Sequence, residues 1–139
     1  MALHHVRGFG AWPMSASFVV PLRVENTSNK REHWRARSSR IKKERAATRL
    51  AFIADAAGAV PPFPVVVEMT RGSAGTLDDD GLCASLKAVR DEVAACLGCG
   101  DSPRDPVQWR YAQEKRPRGV FDVTVRVTSA VDNNVGGAT

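Results

Sequence analysis

Three consecutive aspartates, Asp78, Asp79 and Asp80, in the segment T-L-D-D-D-G-L are the residues of this chain best suited to chemistry. If 77–80 is extended, residues two apart point to one side, so Asp78 and Asp80 converge and Asp79 turns away. Converging carboxylates repel each other unless a proton or a cation lies between them. Hard oxygen donors of this kind suit Mg²⁺ or Mn²⁺, and such an ion both activates a water and stabilises charge on a phosphate. Three other readings compete. Asp79 or Asp80 caps a helix starting at Gly81 or Leu82, a duty for one aspartate rather than three. A calcium EF-hand register would put Thr76 first and Lys87 twelfth, where a bidentate glutamate is required, so that loop is excluded. The third reading is a solvated acidic loop.

A helix follows the triplet. Leu82, Leu86, Val89, Val93 and Leu97 recur on one helical face, and Gly98 stops the helix. Lys87 and Asp91 lie one turn apart, away from that stripe, with Ala84, Ala88, Ala94 and Ala95 around them. So small a face admits a large partner. A nuclease needs a cation besides its metal to stabilise charge at the phosphate, and Lys87 is the nearest candidate. The plainer reading is an exposed Lys–Asp pair of little energetic weight.

The charge is local. The chain has a net charge of +5, yet 30–49 alone holds nine of the 20 Lys and Arg against only Glu32 and Glu44. Such a segment is either a polyanion-binding surface or a solvated basic helix. On the first reading Lys30, Arg31, Arg35, Arg37, Arg40, Lys42 and Lys43 contact DNA backbone. Trp34, inside the run, either stacks on a base or packs in the core or a dimer interface. Cys83, Cys96 and Cys99 are an odd set, which points to reduced thiols in a cytoplasmic compartment. Cys96 and Cys99 form a C-x-x-C pair, but neither a second pair nor a spaced His pair completes a zinc site. No apolar run is long enough to span a membrane.

These residues need elements to position them. Strands are expected at 17–24, 64–70, 108–115 and 120–127, with helices at 30–56 and 82–97. Any of Asn26, Thr27, Ser28 and Asn29 could cap the first helix, and 71–76 reads as a loop. The order β-α-β-α-β-β makes one small α+β (mixed α/β) domain over 16–129, with a flexible leader at 1–15 and a disordered tail at 130–139. Trp109 and Tyr111 share a face of the third strand and are expected to be buried structural residues.

The string D-D-D-G-L-x-x-x-L-K-A-V-R-D-x-x-A, the loop with Asp101 and the W-R-Y-A-Q strand resemble the RusA-like endonucleases, Holliday-junction resolvases of bacteria and prophages. N-T-S-N-K-R-E-H-W and the basic helix fit the same family, so the resemblance covers roughly 18–127. It implies a cytoplasmic homodimer that binds four-way DNA junctions in recombination and repair and cuts phosphodiesters with Mg²⁺, or with Mn²⁺ in its place. Asp78, Asp80 and Asp101 would be the metal ligands, Lys87 the catalytic lysine and Asp91 its companion one turn on. Two departures stand out: Gly81 occupies the family's usual Asn position, and the loop after Gly98 offers Asp105 as an alternative to Asp101. The alternatives to a resolvase are a non-catalytic nucleic-acid-binding module with the same fold and a general structure-selective nuclease.

Overall fold

The computed structural model describes residues 13–26, 31–99 and 106–131. Four strands, β1 (Ser15–Val20), β2 (Val65–Ser73), β3 (Val107–Lys115) and β4 (Asp122–Ser129), form one sheet in the order β1-β4-β2-β3. Three helices, α1 (Trp34–Ala56), α2 (Asp79–Ser85) and α3 (Lys87–Leu97), complete a mixed α+β domain. β4 is antiparallel to both β1 and β2, whereas β3 runs parallel to β2. A parallel neighbour demands a crossover, and α2 and α3 supply it.

Alternation along the strands explains why the core lies on one side of the sheet. Val123, Val125 and Val127 of β4, Val65, Val67 and Met69 of β2, and Phe18 and Val20 of β1 are buried together with Leu82, Leu86, Val89 and Val93. The intervening Glu68, Thr70, Thr124 and Arg126 belong to the opposite, more open face. The outer edge of β1 is guarded by α1, where Asp55 Oδ2 accepts the Val19 N–H at 3.1 Å.

Several boundaries differ from the sequence expectations for identifiable reasons. β1 stops at Val20 rather than 24, because Pro21 has no N–H to continue the ladder. β2 runs on through Arg71, Gly72 and Ser73 rather than yielding to a loop at 71. There Gly72 admits a close neighbour: a Cβ would lie 2.2 Å from Asp122 Oδ1. α1 starts at Trp34, capped by His33, whose Nδ1 accepts the Arg35 N–H at 3.1 Å, so Asn26 is not its cap; the other expected caps, 27–29, lie outside the described residues. The expected single helix at 82–97 starts earlier, at Asp79, and is broken at Leu86, where Ser85 Oγ also donates to the Leu82 carbonyl at 2.8 Å. Its apolar stripe survives the break, all five residues being buried. Ala88 is buried with them and does not belong to the small outward face; Ala84 and Ala94 are half-buried and Ala95 is exposed.

Residues 1–12 of the expected leader and 132–139 of the expected tail lie outside the described residues. No helix among the described residues is long and apolar enough to cross a membrane.

Candidate active site

Chain direction and capping chemistry place the triplet at the head of α2. Asp78 is the cap: its backbone is extended (φ −72, ψ 174) and its Oδ1 accepts the Gly81 N–H at 2.7 Å. Asp79 and Asp80 occupy the first turn, where the positive end of the helix favours carboxylates. The expectation of a strand-like alternation is therefore corrected. Successive side chains from Asp79 onward are about 100° apart around the helix, so Asp79 is not simply turned away from its neighbours. The cap is Asp78, neither Asp79 nor Asp80. All three are exposed to solvent.

Two residues far away in sequence meet this turn. Gln113 of β3 accepts the Leu77 N–H with Oε1 at 2.8 Å and donates from Nε2 to the Leu77 carbonyl at 2.7 Å. Both backbone groups of the residue before Asp78 are thus tied to the sheet. The same Oε1 accepts from Arg71 Nη1 at 3.2 Å, and Arg71 also donates to the Gly75 carbonyl at 3.3 Å. Burial, and then the nearby charge of Arg23, lowers the Arg71 pKa. Gln113 stands in the W-R-Y-A-Q segment, but nothing local marks it as the anchor of the acidic turn.

Asn26 is the second. A Cβ at Gly81 would lie 2.7 Å from Asn26 Nδ2 and 2.8 Å from Asp78 Oδ1. Glycine at 81 lets a carboxamide from the chain before α1 stand against the head of α2.

Lys87 opens α3 and is exposed, with Nζ 3.0 Å from both Asp91 carboxylate oxygens. The pair lines a cleft of about 400 Å³ with Cys83, Arg90, Ala94, Trp109 and Tyr111. Trp109 and Tyr111 share a face as expected, but they are half-buried and wall this cleft instead of being buried. Cys83 stands four residues after Asp79 and three after Asp80, so the cleft begins one helical turn from the triplet.

Asp101, Asp105 and Lys30 lie outside the described residues. Among the described residues no group of three or more His, Cys, Asp or Glu could hold a metal ion. What the turn offers is the second carboxylate oxygen of Asp78 and the carboxylates of Asp79 and Asp80. That donor set still fits Mg²⁺, which takes one or two protein carboxylates and keeps several waters.

The basic segment presents less free charge than its composition suggests. Arg31, Arg35, Arg37, Lys42 and Lys43 are exposed. Arg40 is half-buried and already paired: it donates twice to Glu32 at 3.0 Å and to Glu44 at 3.3 Å. Arg45 and Arg49 turn inward to the buried Glu92 at 2.8 and 2.5 Å, fastening α1 to α3. Trp34 is 67% exposed, between the His33 ring and the Arg35 guanidinium, and takes no part in the core. Cys83, Cys96 and Cys99 form no disulfide, and burial raises the Cys96 pKa. No protein-family model matches this chain, and no curated protein matches it significantly.

Proposed function

We propose that this protein is a Mg²⁺-dependent endonuclease that cuts branched DNA, of the RusA-like type that its D-D-D-G-L and W-R-Y-A-Q segments resemble. One observation carries the reading: three exposed carboxylates stand at successive positions at the head of one helix, and Lys87 stands at the head of the next. Exposed Arg31, Arg35, Arg37, Lys42 and Lys43 suit the backbone of a four-way junction, and a homodimer would present two such sets.

Asp78 and Asp80 would hold the metal, with a third acid from Asp101 or Asp105. Bound there, Mg²⁺ supplies an activated water and charge stabilisation at the phosphate. The chain does the rest. Gln113 fixes the approach to Asp78, and the Gly81 N–H holds the Asp78 carboxylate in one rotamer. Asp91 steadies Lys87, whose ammonium has three donors and can offer one to a phosphate oxygen.

Purified protein, synthetic four-way junctions and Mg²⁺ make the test. Wild type should nick symmetrically; a protein that binds junctions and never nicks them sinks the enzymatic reading. Asp80→Asn should stop nicking and preserve or tighten binding, since it removes a negative charge near the DNA. A second reading, a non-catalytic DNA-binding module, is favoured by the use of Asp78 as a helix cap. It expects binding that is indifferent to Mg²⁺ and to Asp80→Asn. Comparing duplex, flap and junction substrates separates a resolvase from a general structure-selective nuclease.

A further inference from the structure

The cleft between α3 and the outer strand β3 holds a cation that the proposed reaction does not use. Arg90 is half-buried there, its guanidinium 4.6 Å from the centre of the Trp109 ring, and its Nη1 donates to Tyr111 Oη at 2.7 Å. Both partners are neutral. Among the described residues no carboxylate pairs with Arg90, in contrast to Lys87, Arg40, Arg45, Arg49 and Arg116, each of which faces an Asp or Glu.

A guanidinium carries five N–H donors in a planar fork, and the Tyr111 bond uses one. Stacking on an indole and bonding to a phenol orient the remaining fork before any ligand arrives, which reduces the entropy lost on binding. A planar fork of this kind matches phosphate oxygens. The cleft is open, about 400 Å³, and starts at Cys83, one turn from the acidic head of α2. A nucleobase is the poorer occupant, because Arg90 already covers a face of Trp109.

We propose that Arg90 is a preorganised phosphate clamp, gripping a backbone phosphate of the DNA strand adjacent to the one that is cut. Trp109 and Tyr111 are its positioning residues. The path of the strand rests on the nuclease reading; the affinity of the clamp for a phosphate does not.

Anisotropy of a labelled junction, titrated at several salt concentrations in EDTA, measures binding without cutting. Arg90→Gln should reduce the slope of log affinity against log salt by about 0.9, the share of one phosphate. Arg90→Lys should restore the slope and recover only part of the affinity, since it keeps the charge and loses the fork. Unchanged slope in folded Arg90→Gln overturns the clamp and leaves the nuclease reading standing. An Arg90-dependent slope in a wild type that never nicks does the reverse, and a wild type that binds no DNA removes both. Should Arg90→Gln fail to fold, wild type decides: its Arg90 Nε–H resonance must shift when a short oligonucleotide is added, and a stationary resonance overturns the clamp.

Discussion

Asp78 has two duties that substitution can separate. Its Oδ1 caps α2 through the Gly81 N–H, and its charge belongs to the proposed metal site. Asn keeps an oxygen acceptor and loses the charge, whereas Ala loses both. Asp78→Asn should therefore lose nicking with an unchanged urea midpoint, and Asp78→Ala should in addition lose about 1 kcal/mol of stability, as typical for a helix cap. If both variants unfold at the same urea concentration, the cap is not contributing. Glu44 shows the opposite case of a carboxylate that the fold tolerates poorly. It is 3% exposed, its Oε1 has no hydrogen-bond partner among the described residues, and burial raises its pKa against the opposing pull of Arg40. A folded pKa above the unfolded one means that the folded state holds the proton more tightly. The contribution of Glu44 to stability then falls as pH rises through that interval. Glu44→Gln should gain on wild type in urea unfolding between acidic and neutral pH; a constant difference would contradict this.

Among the elements, α2 is the one whose placement matters most. Its head is held by Gln113 from β3 and by its own cap, and Asn26 from before α1 stands close against it, so three separate parts of the chain meet there. Gly81→Ala tests that arrangement by its sign. Inside a helix, Gly→Ala ordinarily stabilises by about 1 kcal/mol. Here the new Cβ would lie 2.7 Å from Asn26 Nδ2 and 2.8 Å from Asp78 Oδ1, the oxygen that caps the helix, so the change should destabilise by about 1 kcal/mol, as loss of a cap does. Combining it with Asn26→Ala should recover part of the loss, measured as thermal unfolding of the single and double variants. α1 is organised by charge as much as by apolar contact. Its inner side carries the buried Glu44 and Thr48 and the Arg45 and Arg49 links to Glu92. Its outer side carries Leu50 and Ile53.

At the scale of the whole molecule, the exposed apolar residues of α1 mark where two copies would meet if the proposed homodimer forms. Leu50 is 67% exposed and Ile53 56%, one turn apart on a helix whose other side is packed, and exposed Ala46 continues the stripe. If the protein works as a dimer through this surface, wild type should run as a dimer in light scattering and Leu50→Glu as a folded monomer. A Leu50→Glu protein that still dimerises would move the interface elsewhere. The alanine-bearing side of α3, which the sequence offered as the surface for a partner, loses Ala88 to the core and keeps Lys87 and Asp91 on the cleft.

The sequence by itself determined the features that periodicity and local chemistry encode. The valines of β4, the leucine and valine stripe of α2 and α3 and the stop at Gly98 were legible, because burial on one face repeats with the period of the element and glycine tolerates the left-handed stop. That Asp79 stands in the first helical turn with Asp80, rather than turning away from its neighbours, was not legible, because an extended segment was expected there. Tertiary structure decided which charges are free. Arg45 and Arg49 meet Glu92 across 47 and 43 residues, and Gln113 reaches Leu77 across 36. No local pattern carries such pairings; they exist only because the crossover lays α3 against α1 and β3 beside β2. Tertiary structure likewise separates Arg90, stacked on Trp109 with no acid beside it among the described residues, from the arginines that serve the fold.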